Sequence, residues 1–274
     1  MDPATIIGLV IAFGSLYAMI VLEGAHVESI LIPAPMILVF GATIAIGIAS
    51  YTIKDSISAF KAVIPAIIGK PAKAADSIAE LVVYAKTARD KGLLALEEAS
   101  ANAGTDFERR ALQNVADGTD PEELRVMLED ELETKHSRGY TNSKFFAALG
   151  GFAPTVGIIG TVVSLTHVLE NLSTPDHLGP MIATAFVATL WGLLSANFIW
   201  LPISARLRRL SDLEVEQMTL LMEGVLALQA GSQPRLLGER LRAMVPAHAL
   251  GTKAEKAEKG DSADKVQDLS LIHI

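Results

Sequence analysis

Two sets of small and hydroxylated residues recur at helical intervals within apolar sequence. Gly150, Pro154, Gly157, Thr161 and Ser164 follow a 4-3-4-3 spacing, and Ala185, Thr189, Gly192 and Ala196 repeat the pattern further along the chain. Residues three and four apart share one face of a helix. Such a face has two possible uses. Small side chains let two helices approach closely, with each hydroxyl bonded to its own backbone carbonyl. Alternatively, the hydroxyls, together with the carbonyl that Pro154 frees from the helical ladder, could offer oxygen atoms to a hard cation along a permeation path. Spacing alone favours packing and leaves the second reading open.

Other reactive groupings are scarce. The chain has no Gly-rich phosphate loop, no nucleophile elbow and no metal-spaced histidine cluster. His167 and Glu170 stand three apart, which reads as interfacial polarity rather than a ligand pair. With no cysteine, disulfides and thiolate metal sites are excluded. A net charge of −8 argues against nucleic acid as a partner. The expectation is a protein that is not an enzyme and holds no cofactor.

The elements that carry these faces are apolar and long. Half of the 274 residues are hydrophobic, and the mean hydropathy is +0.38. Four stretches approach the roughly 20 apolar residues needed to cross a bilayer: Ala4 to Leu22, Ile30 to Tyr51, Phe146 to Leu169 and Met181 to Ile203. No Lys or Arg lies between Met1 and Ile53 or between Phe145 and Ala205, so all 23 basic residues fall in Lys54 to Lys144 or from Arg206 onward. The positive-inside bias then places Glu23 to Ser29 and Glu170 to Pro180 outside and both termini in the cytoplasm. The start, Met1-Asp2-Pro3, lacks the basic region of a cleavable signal.

These features predict an all-α membrane protein with four transmembrane helices, a helical cytoplasmic domain between helices 2 and 3, and C-terminal cytoplasmic helices. The expected divisions are a first hairpin at 1–52, a cytoplasmic helical domain at 53–144, a second hairpin at 145–204, C-terminal helices at 205–246 and a disordered tail at 247–274. The final Leu269 to Ile274 reads as a terminal scar. In the second span, Gly41, Ala45 and Ala49 form a small-residue stripe suited to packing, with Pro33 and Pro35 near its start. Ile53, Ile57, Phe60 and Ile64 mark an amphipathic helix, either on the inner membrane surface or facing a cytoplasmic core. A helix near Ala72 to Ala88 ends at Gly92, and a short one runs from Leu93 to about Ser100. Thr105 or Asp106 caps a third that ends at Gly118. Asp120-Pro121 opens a fourth, with Leu124, Leu128 and Leu132 on one face towards Arg138. Leu210 to Gln229 is a further helix, and Gly231-Ser232-Gln233-Pro234 turns into a last one ending near Pro246. No strand is evident.

No Asp or Glu sits in the middle of any span. Ion-driven membrane machines place a carboxylate there to hold the ion. If this chain works on ions, another subunit must supply that group.

Several motifs together carry a family resemblance over Met1 to about Pro246. Ala153-Pro154-Thr155-Val156-Gly157-Ile158-Ile159-Gly160-Thr161 is similar to the third-span motif of flagellar motor stator A subunits of the MotA and PomA type. Ala185-Phe186-Val187-Ala188-Thr189-Leu190-Trp191-Gly192 with Pro202 resembles their fourth span. Met222-Glu223-Gly224 through Gly231, then Pro234-Arg235, resembles their C-terminal signature, and Ala88-Arg89-Asp90-Lys91-Gly92 through Glu98 their cytoplasmic motif. The resemblance implies an ion-conducting stator subunit in the bacterial inner membrane that transports H+ or Na+ and turns ion flow into torque. It implies a ring, a pentamer, around a MotB-type B subunit that supplies the membrane Asp, and contact with the rotor protein FliG.

The resemblance also carries roles to single residues. Pro154 and Pro202 match two functional prolines that shape the ion path, and Arg89 and Glu97 match a charged pair implicated in rotor contact. Sodium-type members often carry Lys directly after that Arg; here the residue is Asp90. Read from charge pattern alone, Arg89 and Glu97 form a solvated face. Thr161 and Thr189 match threonines of sodium-type members, whereas proton-type members more often have Ala at the first position, which leans towards sodium. Gly150, Gly157 and Gly192 are assigned to helix packing. The competing readings are an ExbB/TolQ-type subunit, whose family usually has one span before the large cytoplasmic segment, and a four-span scaffold that conducts nothing.

Overall fold

In a computed structural model of the chain, residues 4–68, 73–172 and 175–250 are described. Among them the regular structure is helical throughout. The helices are α1 (Ala4–Leu22), α2 (Pro33–Ser50), α3 (Ile53–Ile68), α4 (Ala74–Lys91), α5 (Leu96–Ala101), α6 (Asp106–Ala116), α7 (Pro121–Glu170), α8 (Pro175–Ser195), α9 (Leu201–Gln229) and α10 (Pro234–Ala243). A π-helical turn, Ala196–Trp200, joins α8 to α9. Three helical stretches are long and apolar enough to cross a membrane: Pro33–Ser50, Pro121–Glu170 and Leu178–Gln229. Ile6–Leu22 is a shorter apolar helix.

The chain divides into two compact units, one of residues 1–70 and 137–211, the other of 71–136 and 212–274. The first holds the apolar stretches. Its core gathers Ala59, Phe145, Phe146, Leu149, Ala153, Ala196, Trp200 and Leu207. Phe145 and Phe146 meet edge to face with ring centres 5.4 Å apart, an arrangement that lets the ring edges meet the electron-rich faces, and Trp200 stacks on Phe146 at 6.4 Å.

One expectation about this unit needs correction, and one open alternative narrows. Gly41, Ala45 and Ala49 are all exposed; the face of α2 that packs is Pro35, Val39, Thr43 and Gly47. Gly47 lies so close to Leu149 that a methyl there would strike its side chain. Small residues permit close approach on any face, and here bulk on the facing helix selects a different one. The amphipathic α3 turns Ala59 and Ala66 inward, while Ile53, Ile57, Phe60 and Ile64 are exposed. Phe60 still sets its ring edge against Phe145 and Phe146 at 5.5 and 5.4 Å, whereas the three isoleucines face away from the unit's core, which favours the surface-lying reading.

The second unit is built from amphipathic helices around Ile78, Leu81, Leu96, Leu112, Val115, Leu124, Val225 and Leu237. Start signals in the sequence appear as bonds. Thr105 Oγ1 accepts from Glu108 N at 3.2 Å, and Asp120 Oδ1 accepts from Glu122 N at 2.9 Å, each satisfying an amide the helix leaves open. Glu108 Oε2 reaches back to Gly104 N at 3.1 Å, completing a reciprocal cap. Gly92 turns the chain out of α4 at φ 85°, and Leu93–Ala95 forms a 3-10 turn before α5. Gly224 abuts Leu81, where an added Cβ would lie 2.5 Å from Cδ1. This close approach accounts for a glycine within a long helix.

The helix opened by Asp120 does not stop near Arg138 but continues to Glu170 as one 50-residue element. Likewise, α9 runs unbroken from Leu201 to Gln229. Polarity changes at these boundaries without any Gly-Pro turn to break the backbone, so the helical ladder carries on. At the far end, Ala247–Ala249 forms a 3-10 turn closed by Leu250; residues 251–274 of the expected tail, with Leu269 to Ile274, lie outside the described residues.

Candidate functional site

The two small-residue faces identified in the sequence meet each other. On α7, a Cβ added to Gly157 would lie 2.9 Å from Ala188 O and 3.1 Å from Gly192 Cα. On α8, one added to Gly192 would lie 2.8 Å from Ala153 O and 3.0 Å from Gly157 Cα. Backbone thus touches backbone at this crossing, which only glycine on both sides allows. Gly150 is buried against Leu201, with 2.6 Å from its virtual Cβ to Leu201 Cδ2.

One turn further along, hydroxyls replace glycines. Thr161 Oγ1 lies 2.9 Å from Ala185 O across the crossing and 3.1 Å from Gly157 O on its own helix. It also contacts Thr189 Oγ1. A hydroxyl carries one hydrogen and two lone pairs, so Thr161 can donate to only one of these at a time. If it donates to a carbonyl, it accepts from Thr189. Both threonines are half-buried. Purely local back-bonding therefore fails to describe Thr161: its hydroxyl bridges the two helices and leaves lone pairs at a partly open edge.

Pro154 stands inside α7 without ending it and is half-buried. It cannot donate to Gly150 O, four residues back, so that carbonyl keeps acceptor capacity. Pro202, also half-buried, lies at the start of α9, directly after the π turn. No interaction joins it to the threonines.

Sequence reasoning missed Asn197. It lies within the π turn, is exposed, and donates from Nδ2 to Leu193 O at 2.8 Å. An amide facing outward from an apolar stretch is costly in hydrocarbon and marks a polar neighbour or water, and π turns cluster at functional sites. The available signal was an isolated Asn in the apolar run Leu193 to Leu201. Trp191, six residues earlier, donates from Nε1 to Ile30 O at 2.6 Å and ties α8 to the segment before α2.

Arg89 and Glu97 lie in the second unit, at the last turn of α4 and the first turn of α5. Both are exposed. Cation at a C-terminus and acid at an N-terminus each suit the helix dipole, so their placement has a local reason as well as availability for contact. Nearby in this unit, Tyr84 is pushed up to about 12 by burial and by the charge of Glu108. Burial first, then the Glu108 and Asp76 charges, raise Glu80. His167 Nδ1 sits 3.6 Å from Glu170 Oε2 on the exposed end of α7. Among the described residues no group of three or more acidic or histidine side chains could hold a metal.

Known proteins align with most of the chain. Residues 6–92 match the model described as the motility protein A N-terminal region, and residues 99–220 match the MotA/TolQ/ExbB proton channel family. Motility protein A of Bacillus subtilis is 29% identical over 271 residues, covering 98% of this chain and 100% of the relative. Chemotaxis protein PomA of Vibrio alginolyticus is 33% identical over 247 residues, covering 88% and 94%. Among solved structures, that of C. jejuni MotAB superposes with a TM-score of 0.86 at 26% identity, covering 90% of this chain and 96% of that one. The flagellar MotAB stator complex of Bacillus subtilis gives 0.82 at 30%, covering 90% and 97%.

Proposed function

The chain belongs to the motility protein A group of the MotA/TolQ/ExbB proton channel family, and on that premise we propose that it is the ion-conducting A subunit of a flagellar stator. The observation that carries this reading is the meeting of α7 and α8: glycines bring the backbones together, and Thr161 and Thr189 leave hydroxyl oxygens at its edge. That edge offers hydroxyl oxygens to a proton-bearing water or a sodium ion, and the freed Gly150 carbonyl and the Asn197 amide lie further along the same two helices. What it lacks is an anionic group. A carboxylate from a single-span MotB-type partner, brought against this edge, completes the site, and relatives solved as MotAB complexes support that partner.

In this account α1 joins the three long apolar stretches as a fourth span, both termini are cytoplasmic, and the chain assembles as a pentameric ring in the bacterial inner membrane. Pro154 and Pro202 shape the path, and Arg89 and Glu97 on the second unit face FliG. An elementary charge crossing 100 mV releases about 2.3 kcal/mol, so torque draws on many ions per revolution. The threonine pair favours sodium over protons. The ExbB/TolQ-type reading is the weaker one, because the match to the motility protein A N-terminal region includes the first hairpin.

The test is motility in cells whose only A subunit is a variant of this chain. Pro154→Leu and Thr161→Ile should abolish swimming while expression and membrane insertion persist; normal swimming by either would sink the assigned path. For the cation, swimming speed measured against external sodium at fixed membrane potential should rise with sodium, and a flat response rejects the sodium assignment.

A further inference from the structure

The densest run of positive charge in the first unit lies where α7 enters, and α9 leaves, the apolar stretches. Ser137 to Phe145 and Ser204 to Ser211 contain Arg138, Lys144, Arg206, Arg208 and Arg209, and no Asp or Glu. The two stretches are held side by side. Ser143 Oγ donates to Ser204 O at 3.0 Å and Ser204 Oγ to Ser143 O at 2.8 Å, both buried. A methyl at Gly139 would strike Ser211, so the backbones approach closely here too.

This packing brings two cations to one exposed aromatic ring. Lys144 Nζ is 4.6 Å from the centre of the Tyr140 ring, and the guanidinium carbon of Arg208 is 5.7 Å from it. A hydrogen bond from Lys144, then the charges of Lys144 and Arg208, hold the Tyr140 phenol below its ordinary range. Arg206 and Arg209 have other partners. Among the described residues Lys144 and Arg208 contact no carboxylate, and both are exposed. Two cations gathered on one ring repel each other, and a cation–π contact at an exposed site compensates only weakly. An anion between them would remove that repulsion.

We propose that Lys144 and Arg208, gathered at the Tyr140 ring, form a binding site for the phosphate of an anionic phospholipid. Position selects the ligand. Lys144 directly precedes the apolar run from Phe146, and Arg208 follows the run ending at Ile203, so both side chains reach headgroup depth, their alkyl stems lying along apolar surface. The guanidinium presents two parallel N–H groups to phosphate oxygens. The ammonium adds a point charge. The proposal needs this end of α7 and α9 to meet a membrane surface; it does not depend on ion conduction, so it and the stator reading fail separately.

The experiment titrates the purified full chain in detergent with phosphatidylglycerol or phosphatidylcholine and counts bound lipid by native mass spectrometry. Wild type should prefer phosphatidylglycerol. At about 1 kcal/mol per basic residue near a membrane surface, and tenfold per 1.4 kcal/mol, Lys144→Gln with Arg208→Gln should weaken phosphatidylglycerol about thirtyfold. Each single variant should weaken it about fivefold, Lys144→Arg should retain it, and Lys61→Gln should leave it unchanged. If the double variant does not insert, the singles and Lys144→Arg carry the test. Equal binding of the two lipids, or unchanged phosphatidylglycerol binding in the variants, overturns the proposal. So does displacement of the lipid by millimolar inorganic phosphate, which would mark a free-phosphate site. Carbodiimide cross-linking of Lys144 to a carboxylate of another subunit in native membranes would overturn it as well, by showing a protein partner there.

Discussion

Replacing Gly157 by alanine tests the α7–α8 crossing at one methyl group. The added carbon would lie 2.9 Å from Ala188 O, 3.1 Å from Gly192 Cα and 3.3 Å from Thr189 Cα. Comfortable carbon contacts begin near 3.5 Å, and all three neighbours are backbone atoms, which cannot rotate aside. The helices must therefore part by several tenths of an ångström, and overpacking of this kind costs about 1–3 kcal/mol. Alanine recovers about 0.5–1 kcal/mol through its better helix propensity. Gly151, the next glycine back on the same helix, has nothing within 4 Å of its virtual Cβ, so Gly151→Ala should show the propensity gain alone. The expected gap between the two variants is about 1–3 kcal/mol. At about 2–4 °C per kcal/mol for a chain of this size, the thermal midpoints of the purified chain in detergent should differ by several degrees, with Gly157→Ala lower. Gly157→Ala matching or exceeding Gly151→Ala would refute the close backbone contact and with it the geometry of the hydroxyl edge.

Three further outcomes follow from the same structure. Ser143→Ala should destabilise by about 0.5–1.5 kcal/mol, because it removes the buried bond to Ser204 O while Ser204 Oγ still donates to the backbone carbonyl of residue 143; adding Ser204→Ala should cost a similar amount again, and a double variant as stable as wild type would contradict the two bonds. Tyr84 holds its proton to about 12, above the unfolded phenol's value of about 10. The stability this group contributes is therefore complete below pH about 10 and lost between about 10 and 12. Tyr84→Phe should remove the last step of the ultraviolet tyrosinate titration, and persistence of that step would contradict the assignment. Arg89→Ala, on an exposed side chain, should shift stability by no more than about 0.5 kcal/mol while reducing motility; a thermal midpoint lowered in proportion to the motility loss would mean that the residue is structural.

Much of the fold was legible because its signals are local. Asp120-Pro121 and Thr105 announced helix starts through side chains that satisfy open amides, and Gly92 ended α4 through a backbone angle few other residues adopt. What stayed hidden depends on partners distant in sequence. Spacing showed that Gly157 and Thr161 share a face, but not that Gly192 and Thr189 lie opposite them. The same ambiguity made Gly41, Ala45 and Ala49 look like the packing face of α2, when Leu149 selects Gly47 instead. The continuity of α7 through Gly139 was illegible for another reason: a change from polar to apolar composition resembles a boundary, yet a helix needs no break to pass from water into hydrocarbon. Asn197 escaped because one amide barely alters the hydropathy of its window.

The central claim is that this chain lines an ion path but cannot complete it, since none of its spans holds a carboxylate at mid-depth. Ion uptake into proteoliposomes under an imposed membrane potential tests this most directly. The chain reconstituted alone should pass no more ions than empty vesicles. Reconstitution with a MotB-type partner should give a flux that vanishes when the partner's membrane Asp becomes Asn and falls with Thr161→Ile. Flux from the chain alone, or a flux with the partner that survives loss of that Asp, would contradict the account.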